Sequence, residues 1–168
     1  MAPILLRNLK PQEILATIEV QVSRKWAFRG NTDAGPILHV DMILADTEGS
    51  SIYAEIPADV QTNKATLLEE GGIYCISRFK TTNAKKRYRP IPGPYMIYIT
   101  VHSIIKPIDL APHLFPKYIY HLTPFSELDT KKDDPTYFTD VIGIITAVSN
   151  LKEAGTGMNR NIYIMDIR

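Results

Sequence analysis

The sequence predicts an all-β chain carrying a single helix, and three observations predict it. Segments of alternating apolar and polar residues recur along the chain. Only one stretch, 58–70, carries apolar residues at helical spacing, and Gly-, Pro- and Asn-rich turns punctuate the intervals. In chain order, ILATIEVQVS (14–23) sets Ala16, Ile18, Val20 and Val22 on one face and Thr17, Glu19, Gln21 and Ser23 on the other. PILHVDMILAD (36–46) alternates likewise, with Leu38, Val40, Met42 and Leu44 opposite His39, Asp41 and Ile43. TEGS (47–50) has the composition of a tight turn, and SIYAEIP (51–57) returns as a third strand. Val60, Leu67 and Leu68 then mark the helix, which Gly71–Gly72 stops. IYCISRFKT (73–81) and YMIYITVHSII (95–105) supply two more strands, joined by the basic loop TNAKKRYRPIPGP. Three strands, a helix and two strands make the five-stranded OB barrel, whose helix lies between its third and fourth strands. A sandwich needs more strands, and a βαβ fold needs repeated helices.

Residues 1–107 are therefore expected to form the barrel, and 108–137, rich in Pro, charge and scattered aromatics, a linker that packs in part. Residues 138–168 are expected to be the first two strands of a second, incomplete OB fold. FTDVIGIITAVS (138–149) and IYIMDIR (162–168), separated by NLKEAGTGMNRN, repeat the pattern of the first two strands. Two strands cannot close a barrel, and their free edges invite pairing with another chain.

Composition narrows the function. A formal net charge of +1 over 168 residues leaves no global field for nucleic acid, so any such attraction must come from local clustering. Cys75 is the only cysteine, which excludes an intrachain disulfide and a multi-cysteine zinc site. MAPILLRNLKPQE has too short an apolar run for a signal peptide, and nothing approaches a membrane span. An intracellular, reducing compartment and no membrane partner are expected. His39, His102, His113 and His121 show no metal-ligand spacing, and Gly155-Thr156-Gly157 follows no strand–helix unit that would make it a phosphate loop. Asp41 and Asp46 read as strand and turn residues rather than a catalytic pair. No nucleophile–base constellation, cofactor motif or metal site emerges, so a binding module rather than an enzyme is expected.

OB barrels bind across strands two and three, between the loops joining strands one–two and four–five. The first loop here, SRKWAFRGNTDAG, contains Arg24, Lys25, Trp26, Phe28 and Arg29. The second, FKTTNAKKRYRPIPGPY, contains Lys80, Lys85, Lys86, Arg87, Tyr88 and Arg89, with Arg78 just before it. No Asp or Glu occurs between Gly71 and Ile108; the acids gather elsewhere, at Asp33, Asp41, Asp46, Glu48, Glu55, Asp59, Glu69 and Glu70. Cations neutralise phosphates and aromatics offer faces to unstacked bases, which is the chemistry of single-stranded nucleic-acid binding. Trp26 stands open between core plug and stacking platform. Tyr88, flanked by Arg87 and Arg89, favours the platform.

VSRKWAFRG, IYAEIP, GIYCISRFK and KRYRPIPGPYMI, between Leu5 and Ile105, resemble the N-terminal OB domain of plant relatives of the replication protein A large subunit. FPKYIYHLTPFSELD and FTDVIGIITAVS resemble that family's passage into its next OB domain. The resemblance implies single-stranded DNA binding without strong sequence preference, in a nuclear replication, repair or recombination setting, with other subunits of that complex as partners. RNA remains a second ligand class. The family's stacking aromatic between strands four and five falls on Tyr88, with Lys86 and Arg87 before it, and its basic first loop on Arg24, Lys25 and Arg29. A second stacking aromatic would fall near Ile56–Pro57, where none stands; Tyr53 is the nearest substitute. The resemblance offers no counterpart to the family's later domains, including its cysteine-bearing zinc domain. The competing class is a protein-interaction OB module, or a truncated paralogue pairing with other subunits or with itself through residues 138–168.

Overall fold

The computed structural model describes residues 2–12, 14–30, 34–155 and 157–167. Asp33, Thr156 and Arg168, named above, lie outside the described residues. The chain forms two units: the described residues up to Ile119 together with Pro135–Phe138, and Tyr120–Asp134 together with the residues from Thr139 onward.

The first unit holds β1 (Thr17–Phe28), β2 (His39–Ala45), β3 (Ser51–Pro57), α1 (Ala58–Lys64), β4 (Ile73–Ser77), β5 (Lys80–Asn83), β6 (Tyr95–Tyr98) and β7 (Ile104–Pro107). A 3-10 turn, Ala65–Leu67, extends α1. The strands join in the order β5-β6-β3-β2-β1-β4-β7, with β3 and β6 parallel and every other pair antiparallel. β4 and β5 are one strand bent at Arg78–Phe79, where Arg78 takes a φ of 57°. Because β4 lies on β1 while β5 lies on β6, the bend closes the sheet on itself. The fifth barrel strand breaks in the same way into β6 and β7. The hydroxyls of Thr100 and Ser103, in that break, donate to the Arg78 carbonyl at 3.3 and 3.2 Å. The five-stranded OB barrel is thus present, with its last two strands each broken once to turn the curve.

The core follows the alternation. Ala16, Ile18, Val20 and Val22 are all buried, and they meet Val40, Met42, Leu44, Ile52, Ala54 and Ile56 from β2 and β3. Val60, Ala65 and Leu68 close one end from α1 and its extension, with Leu6 and Leu9 in the same cluster. Leu38 departs from its predicted face: it precedes β2 and is 47% exposed.

β1 corrects the sequence expectation most. It runs on to Phe28, so Arg24–Phe28 are strand rather than loop. The register shifts between Val22 and Arg24, an irregularity that inserts Ser23 as one extra residue. Parity therefore reverses, since an inserted residue sends every later side chain to the other face. Arg24, Trp26 and Phe28 pair with Ile43, Asp41 and His39 on the face away from the main core. Lys25 and Ala27 pair with Met42 and Val40, which face it.

In the second unit a 3-10 turn (Phe125–Glu127) leads into α2 (Leu128–Lys131). β8 (Ile144–Val148) pairs antiparallel with β11 (Ile162–Met165), the two strands expected there. The connection predicted as loop contains a small hairpin, β9 (Lys152–Ala154) with β10 (Gly157–Asn159). Among the described residues, no helix is long and apolar enough to cross a membrane.

Candidate nucleic-acid interface

A cleft of about 490 Å³ opens on the outer face of β1, β2 and β3, within the size range of small-ligand sites. Trp26 and Phe28 line it from β1, and His39 stacks on Phe28 with ring centroids 4.6 Å apart and 22° between planes. Tyr88 and Phe138 line it from the loop after β5 and from the Pro135–Phe138 segment. Their rings stand 6.3 Å apart at 37°, and Tyr88 is 62% exposed. Lys85 and Arg87 add cationic charge, and Asp41 and Tyr53 line the cleft from β2 and β3.

Beneath these aromatics lies a polar network. The Tyr53 hydroxyl donates to Asp41 Oδ1 at 2.6 Å, with Glu55 Oε2 at 3.0 Å. His39 Nδ1 lies 2.9 Å from Asp41 Oδ1. The Lys85 ammonium forms an ion pair with Glu55, donates to the Tyr53 oxygen at 3.1 Å, and sits 5.4 Å from the Tyr53 ring centroid. Burial pushes the Asp41 carboxyl above its ordinary range, against the pull of the Tyr53 hydrogen bond, His39 and Lys85. Burial and then the bond to Asp41 push the Tyr53 phenol far up, so it stays a neutral donor. His39, Asp41 and Glu55 stand close enough to suggest metal ligands, but Lys85 already supplies the cation that this acidic pair requires. Ile43, Tyr53, Ile91 and Met96 form a second small core, and Trp26 packs against it. Trp26 is therefore both plug and cleft wall.

The Tyr88 loop is held in place by a distant piece of chain. Tyr88 N–H donates to the Pro135 carbonyl at 2.7 Å, Arg89 N–H to Thr136 at 3.0 Å, and Phe138 N–H to Arg89 at 2.9 Å. The Arg89 guanidinium lies 5.0 Å from the Tyr137 ring centroid and donates to the Gly93 carbonyl. Tyr88 adopts a φ of 55°, a left-handed conformation rare for a bulky residue and held here by these bonds.

The expected site residues divide accordingly. Trp26, Phe28, Tyr53, Lys85, Arg87 and Tyr88 converge on the cleft, and Arg24 stands 6.0 Å from the Trp26 ring on the same face. Lys86 is exposed on the same loop. Arg89 braces that loop through Tyr137, as above. Arg29, beyond the end of β1, donates to the Gly35 carbonyl at 2.6 Å. Tyr53 is buried, with Lys85 over its ring, so it forms floor rather than platform. Lys25 turns away: its ammonium donates to the Ala65 and Leu68 carbonyls, both at 2.7 Å, capping the end of the helix. Arg78 serves the bend, and Lys80 is exposed on β5; neither lines the cleft. His39, Asp41, Pro90 and Phe138 also line the cleft, and sequence reasoning missed them as site residues. The strand alternation that put His39 and Asp41 opposite the core was a usable signal. Nothing in the sequence ties Phe138 to a loop fifty residues earlier.

The first unit is thus an OB barrel whose outer cleft joins aromatic walls to a cationic rim. The chain belongs to the family described as domain of unknown function DUF223, whose model matches residues 7–131. It is similar to two curated proteins of Arabidopsis thaliana, both replication protein A 70 kDa DNA-binding subunits. One is 26% identical over 147 residues, 86% of this chain and 24% of its own length. The other is 25% identical over 147 residues, 86% of this chain and 23% of its own length. The chain thus spans about a quarter of the curated relatives it matches. Among solved structures, a replication protein A heterotrimer bound to single-stranded DNA matches with a TM-score of 0.66 and 22% identity, covering 98% of this chain and 39% of that one. That likeness establishes the OB fold.

Proposed function

We propose that the protein binds single-stranded DNA in this cleft, without strong sequence preference, in a nuclear replication, repair or recombination setting. The observation that carries the reading is the meeting of Trp26, Phe28, Tyr88 and Phe138 with Arg87 and Lys85 around one cleft. Bases stack on the aromatic walls while Arg24, Arg29, Lys86 and Arg87 meet phosphates. The two curated relatives are named as DNA-binding subunits, which supports DNA as the ligand. We further read residues 1–107 as the binding barrel, 108–137 as its linker, and 138–168 as the opening strands of a second OB fold. Other subunits of a replication protein A-like complex, or a second copy of the chain, are the proposed protein partners.

Titration of a fluorescent oligonucleotide at several salt concentrations tests the reading. With three or four phosphates neutralised, log affinity should fall with log salt at a slope of about −2 to −3, using ~0.7 per contact for single strands. Duplex DNA and RNA of equal length run as parallel arms. Undetectable binding at low salt, or affinity indifferent to salt, defeats the proposal.

Tyr88 allows a sharper check. Tyr88→Gly removes the ring and relieves the left-handed backbone. Affinity should drop by about 1–3 kcal/mol, the usual cost of one stacking face. Thermal stability should hold or rise slightly, because glycine accepts that φ without strain. A parallel loss of both would make Tyr88 a structural tyrosine.

A further inference from the structure

The cleft is acidic beneath and cationic at its rim. Asp41 is 5% exposed yet lines the cleft. Its Oδ1 takes the Tyr53 hydroxyl at 2.6 Å and faces His39 Nδ1 at 2.9 Å. Among the described residues, both side-chain hydrogen bonds of Asp41 fall on Oδ1 and none on Oδ2. Ionised, a carboxylate only accepts, so this oxygen calls for a donor from outside the protein. Lys85 does not supply one, being committed to Glu55 and the Tyr53 oxygen.

Resting on the single-stranded DNA reading above, we infer that the cleft takes a base edge-first and that Asp41 Oδ2 accepts a hydrogen bond from its exocyclic amine. The aromatic walls receive the base faces, which turns an edge toward Asp41. Cytosine carries an amino donor at position 4, where thymine carries a carbonyl acceptor. Thymine sets lone pairs against the carboxylate and leaves both groups without a donor. The result is a modest preference for amine-bearing bases on top of general single-strand affinity.

Fluorescence anisotropy with labelled oligo(dC) and oligo(dT) of equal length, at pH 8 and low salt, tests this on the intact protein. Oligo(dC) should bind roughly fivefold or more tightly than oligo(dT), a factor below that of a full bidentate base contact. Asp41→Asn should bring the ratio close to one, because an amide offers both a donor and an acceptor. A thermal melt checks that the variant folds. If it does not, oligo(dC) with pyrimidin-2-one in place of cytosine removes the amine from the ligand instead, and the wild-type protein should lose its preference. Equal affinities, tighter oligo(dT), or a ratio unmoved by loss of either partner overturns the inference. Failure of both homopolymers to bind overturns the single-stranded DNA reading itself.

Discussion

Replacing Lys85 with methionine should lower the stability of the barrel by about 2–4 kcal/mol near pH 8, the cost of breaking a largely buried ion pair discounted for partial exposure. The Lys85 side chain is 34% exposed and that of its partner Glu55 only 9%. Methionine keeps an apolar stem over Tyr53, so the loss reports charge more than packing. Without the ammonium, Asp41 and Glu55 face each other with only His39 and Tyr53 to offset them. The pH dependence has a definite sign. Burial already raises the folded-state carboxyl of Asp41 above its ordinary value, and Lys85 opposes that rise. Its removal lifts the carboxyl further. A group raised on folding contributes stability that is present below its unfolded pKa and lost as pH climbs through the folded one. The deficit of Lys85→Met should therefore be widest at pH 8 and shrink as the medium is acidified toward the carboxylate range. Urea melts at pH 5 and pH 8 decide the matter. A pH-independent deficit would mean that Lys85 acts through packing alone.

This role also revises what the basic loop does. Lys85 to Arg89 reads in sequence as one run of phosphate contacts. In the structure Lys85 neutralises acids and Arg89 braces the loop against Tyr137, leaving Lys86 and Arg87 exposed. The alternation of β1, β2 and β3 and the single helical stretch made the barrel legible, because burial of one face imposes period two wherever the strand is regular. The same logic misread Arg24 to Phe28. One inserted residue after Val22 reverses parity, and no property of Ser23 announces it. Lys25 was likewise indistinguishable from Arg24 as a cation. Only the position of the helix end decides that one caps carbonyls while the other stands beside Trp26. Phe138 was hidden for a different reason: its contact with Tyr88 is long-range, and periodicity reports local geometry only.

Phe79→Ala should destabilise the first unit by about 3–5 kcal/mol, the usual range for removing a buried phenylalanine. Phe79 is 1% exposed and follows directly on the bend at Arg78 that turns β4 into β5. Its ring lies in the same cluster as Ile18, Ile76, Ile97 and Ile99, at the seam where the barrel closes. A domain of this kind has about 5–15 kcal/mol of net stability, so the variant forfeits a large share of it. Phe79→Leu keeps most of the volume and should cost less than about 2 kcal/mol. Lys80→Ala, one residue further and exposed, should lie within about 0.5 kcal/mol of wild type. That ordering, read from urea midpoints, tests whether the bend is held by packing rather than by the hydroxyl bonds of Thr100 and Ser103 to the Arg78 carbonyl. The consequence reaches the cleft, because β5 and β6 carry the two ends of the Tyr88 loop. Phe79→Ala should therefore bind oligonucleotide with near-normal affinity while folded, lose binding at a lower temperature than wild type, and regain thermal stability when saturated with ligand. A loss under about 1 kcal/mol would show that the seam is closed by its hydrogen bonds and that Phe79 merely fills space beside it.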